Sequence, residues 1–259
     1  MLAAGAVGGV LAGLLGIGGG IVIVPAMEVA LTWFGVDEAI RMHVAVATSL
    51  ATIIPTSIAS SRAHHLRRSV DLELARRWIG FVLVGALGGT VVASQVHSRF
   101  LAALFGAMAL VIAVKMALPL DGRTLARAVP RGPLMAAVPT GIGGISSMMG
   151  IGGGTFSVAV LTLCNQPIHR AVGTAALFGL AISLPGTFGF VAAGWGDARL
   201  PPGSLGYVNL IGFALIAPAT VLMAPVGAAI AHRLPQRRLS LLFALFLALV
   251  SVRMFWRAL

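Results

Sequence analysis

Gly16-Ile17-Gly18-Gly19-Gly20, followed by Ile21-Val22-Ile23-Val24-Pro25, breaks an apolar run that reaches from about Leu2 to Phe34. The same five residues return as Gly150-Ile151-Gly152-Gly153-Gly154, 134 positions later, inside a second apolar run from about Leu134 to Cys164. Downstream of the first copy stands His43-Val44-Ala45-Val46-Ala47-Thr48-Ser49. Downstream of the second stands His169-Arg170-Ala171-Val172-Gly173-Thr174-Ala175, at a spacing of 126. Five residues made mostly of glycine are weak evidence alone. Two motif pairs in the same order indicate a duplicated chain. The repeats cover 1–120 and 134–259, joined by a basic linker at 121–133 that we place in the cytoplasm.

Composition sets the solvent. The chain has 259 residues, 58% hydrophobic and 10% charged. Soluble domains are about 45–50% apolar and about 25% charged. The 18 Lys and Arg with 7 Asp and Glu cannot cover a water-facing surface of this size. This excludes an ordinary soluble enzyme, a disordered chain and a disulfide-stapled domain, and leaves an all-α polytopic membrane protein. Open backbone is too costly in lipid, so every span must be helical. The net charge of +11 reads as positive-inside bias and contact with anionic lipid at basic loops, not as nucleic-acid binding. A single cysteine, Cys164, leaves no internal disulfide, and no His or carboxylate spacing suggests a metal or another cofactor. No nucleophile–base pair or HExxH motif indicates an enzyme. The first residues lack a basic region and cleavage motif, so no signal peptide is expected.

Eight apolar elements follow: about Leu2–Phe34, His43–Ser61, Trp78–Val96, Phe100–Leu118, Leu134–Cys164, Ala171–Ala193, Leu205–Ala231 and Leu239–Trp256. Trp33, Trp78, Trp195, Tyr207 and Trp256 lie near element ends, where amphipathic rings favour the headgroup layer. Each repeat therefore has one Gly-broken or re-entrant element and three transmembrane helices. Four full crossings per repeat would leave the repeats in one orientation; three crossings plus a re-entrant element would invert them. Placing the 62–77 loop in the cytoplasm, the Lys and Arg count leans toward inversion by one residue. The basic 232–238 loop leans the same way, because only inversion puts it in the cytoplasm.

The glycine breaks fall where free N–H and C=O groups have no water. Such a break persists if protein buries it through close small-residue packing, or if it lines a wet cavity. In the second case, helices restarting at Ile21 and Thr155 aim free N–H groups and positive dipole ends at an anion. Paired interruptions at matching positions are a pointer to a transporter site. The candidate substrate-binding residues are Gly18, Gly19, Gly20, Thr48, Ser49, Gly152, Gly153, Gly154, Thr155 and Thr174. Ser57, Ser146, Ser147 and Ser157 are secondary candidates, and Asn165 is read as a helix cap. His43 and His169 occupy matched positions and are candidate gates or interfacial caps. Glu28 is the sole acid inside an apolar run, which makes it a candidate for coupling or gating, or an edge residue capped by polar neighbours.

Two copies of G-x-G-G-G, each followed by Ala-Val-x-Thr-Ser/Ala at 45–49 and 171–175, resemble the sulfite exporter family of the TauE/SafE type. The resemblance spans nearly the whole chain. The second repeat departs from it at Ala159, where the first has Pro25, and at Ala175 opposite Ser49. The resemblance implies a multi-pass permease of the bacterial inner membrane that exports sulfite, sulfoacetate or a related small organosulfur anion; the paired breaks lead us to expect alternating access between the repeats, and a homodimer is a further expectation. An anion or small-solute channel is the alternative.

Overall fold

The computed structural model describes residues 19–118, 133–231 and 236–258, apart from the side chains of 224–231 and 236–240. Among these residues the helices are α1 Gly20–Trp33, α2 Glu38–Leu66, α3 Leu72–Gln95, α4 Ser98–Ala117, α5 Leu134–Met149, α6 Gly154–Leu163, α7 Ile168–Ala193, α8 Leu210–Ala231 and α9 Gln236–Ala258. A two-residue-per-strand antiparallel hairpin, β1 Ser204–Leu205 and β2 Val208–Asn209, precedes α8. Helices α2, α3, α4, α7 and the Leu241–Ala258 part of α9 are long and apolar enough to cross a membrane. The chain is an all-α polytopic membrane protein.

The remaining short helices surround the glycine breaks. Helices α1, α5 and α6 have 14, 16 and 10 residues. At 1.5 Å per residue they extend about 21, 24 and 15 Å, less than a hydrocarbon core of about 30 Å. Helix α5 lies along α3, with Gly143 against Val82 and Ala86, and Gly89 against Gly144 and Ser147. These contacts run glycine to backbone, the close approach that small residues permit. The break at Gly150 then meets Val24 and the middle of α2 at Val46. Beyond α6, Gly173 of α7 packs on Ser69 and His64, at the turn joining α2 to α3. Both flanks of this break therefore lead to the end of the fold that holds the 67–71 turn.

Helices α2 and α7 form the centre and run antiparallel. Gly173 meets His64, Gly179 meets Ser57 and Gly186 meets Leu50, so ascending positions on one helix face descending positions on the other. Helix α9 packs on α4, where Ser251 Oγ donates to the Gly106 carbonyl at 2.8 Å.

Element ends differ from the apolar runs. Helix α2 continues through Arg62 to Leu66, and α3 begins at Leu72, capped by Asp71 Oδ1 accepting the Leu74 N–H at 3.0 Å. Of the basic stretch expected as a loop at 62–77, only 67–71 is a turn. Long arginine stems let a helix run past its apolar segment with the charges still in water. Leu205 lies in the hairpin, and α8 starts five residues later. There Asn209 Oδ1 accepts the Gly212 N–H at 2.7 Å. Trp33, Trp195 and Trp256 are exposed, as headgroup-layer rings would be, but Trp78 and Tyr207 are buried. Trp78 stacks on Phe178 at 6.0 Å, and Tyr207 meets His43 at 5.2 Å. The linker 121–133 falls outside the described residues, except Pro133 at the head of α5.

Candidate functional site

Each break has the same backbone device. Gly19 (φ 73°, ψ −14°) launches α1 and Gly153 (φ 69°, ψ −11°) launches α6, both left-handed. Side chains with a Cβ resist that conformation, so the position calls for glycine. Glycine at each N-cap supplies no capping side chain. The first-turn N–H groups at Gly20 and Ile21, and at Gly154 and Thr155, have no intrahelical acceptor. Gly150, also left-handed at φ 67°, ends α5.

The two breaks touch. A methyl placed on Gly20 would lie 2.5 Å from the Gly150 carbonyl oxygen and 3.1 Å from Ile151 Cα. Ser49 Oγ donates to that same carbonyl at 2.7 Å. Gly152 and Gly153 pack against Ile53 and Ile182, from α2 and α7. Gly18 lies outside the described residues.

Three hydroxyls around the second break, on Ser146, Thr155 and Ser157, are buried with no hydrogen-bond partner among the described residues. A buried hydroxyl without a partner costs free energy. Three of them beside two uncapped helix starts form a donor-rich, unsatisfied centre. Ser147 instead donates back to Gly144 at 2.9 Å, and Ser57 is buried against Gly179.

The matched threonines point elsewhere. Thr174 Oγ1 accepts the Asp71 N–H at 3.0 Å, and Thr48 Oγ1 accepts the Asn209 N–H at 3.0 Å. Among the described residues, Ser49 is the motif hydroxyl that bonds to a break. His43 is buried, with Nε2 3.1 Å from the Val96 carbonyl, whereas its counterpart His169 is exposed. Asn165 has φ 60° just past α6. There the Gln166 N–H donates to Leu161 at 3.0 Å and the Asn165 N–H to Thr162 at 3.1 Å, a Schellman-type helix end. Gly35 closes α1 in the same way.

Glu28 is 2% exposed and lies among three arginines. Arg253 donates to Oε2 through Nε at 3.3 Å and Nη2 at 3.2 Å. Arg257 Nε stands 3.3 Å and Arg41 Nη1 4.0 Å from Oε1, which also accepts Thr32 Oγ1 at 3.1 Å. Sequence reasoning found Glu28 and missed its partners. The available signal was three arginines at apolar helix ends, on the face to which the inverted reading assigns few cations.

Among the described residues, no three His, Cys, Asp or Glu side chains gather as metal ligands. Five helices long and apolar enough to cross a membrane, packed around the glycine-rich helix starts, define a multi-pass membrane protein. The chain belongs to the sulfite exporter TauE/SafE family, which it matches over residues 1–254. It is 33% identical over 256 residues to a probable membrane transporter protein of Haemophilus influenzae, covering 98% of this chain and 96% of that one. It is 27% identical over 230 residues to the probable membrane transporter protein MJ0441 of Methanocaldococcus jannaschii, covering 87% and 81%. Over 271 residues it is 22% identical to the probable membrane transporter protein YunE of Bacillus subtilis, covering 97% and 95%. No solved structure matches the chain. The family is one of transporters, not enzymes.

Proposed function

We propose that the protein exports sulfite, sulfoacetate or a related small organosulfur anion across the bacterial inner membrane, binding it where the two glycine breaks meet. The carrying observation is the set of buried, unpartnered hydroxyls of Ser146, Thr155 and Ser157 beside the uncapped starts of α1 and α6. Backbone N–H groups and hydroxyls donate hydrogen bonds without a buried full charge. Such a site holds an anion at modest affinity and releases it. The contact between Gly20 and Gly150 brings donors from both repeats to one place.

The antiparallel packing of α2 on α7 supports inverted repeats, and so does the return of the Leu134–Leu163 segment toward one face. Inverted repeats rocking about a shared site would expose it alternately to each side. The negative-inside potential drives an anion outward by about 2.3 kcal/mol per charge per 100 mV, so export needs no coupled proton. Proteoliposomes test the reading. Saturable sulfite counterflow, lost in Gly153→Val with the protein still inserted, is the expected result. Flux linear in concentration, unaffected by Gly153→Val, would replace it with a channel lying elsewhere.

A further inference from the structure

The geometry points to a second anion site, built from Arg253 and Arg257 with Arg41 behind them, at the face opposite the 67–71 turn. Its ligand is a small oxyanion of the sulfate or phosphate kind, either free or carried on a lipid headgroup. Four chain segments converge there: the ends of α1 and α9 and the starts of α2 and α4. Their two negative and two positive helix ends offset one another, so side chains decide the local charge. Arg41, Arg99, Arg253 and Arg257 face Glu28 and Glu38. Among the described residues, these four cations outnumber the two glutamates by two, and by one when Asp37, the N-cap of α2, is counted.

Their free edges are reachable. Arg253 and Arg257 side chains are 41% and 30% exposed, against 3% for Glu28. They border a groove of about 550 Å³, completed by Glu38, Leu249, Val252 and Trp256. Each guanidinium has five N–H donors. Arg253 gives two nitrogens to Glu28, and Arg257 gives one to Glu28 and one to Thr32. Glu38, the further carboxylate bordering the groove, pairs with Arg99, so among the described residues the remaining N–H groups have no carboxylate partner, and an oxyanion supplies both the charge and the acceptors.

A purely structural ion-pair staple is the competing account. The counterpart of Glu28 by the 134 spacing is Thr162, whose hydroxyl bonds back to the carbonyls of Val158 at 2.8 Å and Ala159 at 3.0 Å. The second repeat thus closes the same helix without ions, and three arginines exceed what one carboxylate requires.

The test is equilibrium dialysis of the full-length, delipidated protein in detergent with radiolabelled sulfate. One saturable site is expected, weakened about tenfold or more, at least 1.4 kcal/mol, in Arg253→Gln/Arg257→Gln. Glu28→Gln, which removes the resident competitor, tightens sulfate binding and covers the case in which the double variant fails to fold. Gly153→Val retains it, so loss of the glycine-break reading is seen separately. Displacement of sulfate by phosphatidylglycerol but not by phosphatidylcholine assigns the site to a lipid phosphate; sulfate binding that neither lipid disturbs assigns it to a free anion. Absence of saturable binding overturns the proposal, as does binding unchanged in the double variant or no tighter in Glu28→Gln.

Discussion

Thr174 Oγ1 accepts the backbone N–H of Asp71 at 3.0 Å, fastening the second half of the chain to the residue that caps α3. Thr48 does the same for Asn209, which caps α8, also at 3.0 Å. Thr48 and Thr174 are the matched threonines of the repeated motif, 126 positions apart. Each holds the cap of a helix in the other half. Because α2 and α7 run antiparallel, the two clamps sit at opposite ends of the pair.

The clamps predict a stability effect. Replacing Thr48 by Val keeps the shape and leaves the buried Asn209 N–H without its acceptor, at a cost of about 1–3 kcal/mol; the half-buried Asp71 N–H freed in Thr174→Val costs less. Each single variant is expected to unfold at lower temperature in detergent and still transport in vesicles. Lost transport at unchanged thermal stability would make the threonines ligands instead.

The glycine breaks predict a split between packing and binding. Gly153 is left-handed, and its missing Cβ would meet Ile182, so Gly153→Val should abolish efflux. Ser157→Ala removes one unpartnered hydroxyl with almost no change in volume. At a worth of about 1.5–3 kcal/mol for a bond to a charged ligand, it should raise the half-saturating anion concentration at least about tenfold while leaving the unfolding temperature unchanged or higher. Unchanged saturation in Ser157→Ala and Ser146→Ala would reduce the breaks to packing devices.

Topology is open to direct labelling. With inverted repeats, residues 67–71 and the start of α9 share the cytoplasmic face. Cysteines at Ser69 and Gln236 should then react with an impermeant maleimide only in inside-out vesicles. The native Cys164 is buried and gives little background. Opposite sidedness at the two positions would exclude the inverted arrangement.

The connection before the hairpin carries a pH signature. Arg199 bonds both carboxylate oxygens of Asp197, at 2.9 and 2.7 Å, and holds its carboxyl down to about 2 from the ordinary 3.8. A depressed folded-state pKa gives stability that is present above the unfolded value and lost as pH falls through the folded one. Asp197→Asn should therefore unfold at slightly lower temperature than the parent above about pH 4, with the gap closing as pH approaches 2. The pair is partly solvated, so the shift is small. A gap independent of pH would assign the effect to the backbone turn instead.

Much of this protein was legible in the chain itself. An apolar excess with few charges leaves lipid as the only workable solvent, and lipid permits only backbone that bonds to itself. The all-helical fold and its long apolar helices followed from that, as did Asn165 as a helix end. Repetition of Gly16–Gly20 at Gly150–Gly154 marked the device because left-handed helix starts exclude most side chains. The direction of a side chain was not legible. Thr48 and Ser49 are neighbours on one turn, yet one fastens Asn209 and the other the Gly150 carbonyl. Sequence spacing places both on α2 and says nothing of which facing element each will meet. Glu28 stood out alone, but its arginines come from α2 and α9, the nearer α9 residue, Arg253, lying 225 positions away. Tertiary packing alone brought those charges together, because α1 and α9 pack with their C-terminal ends side by side, joining residues that the chain keeps far apart.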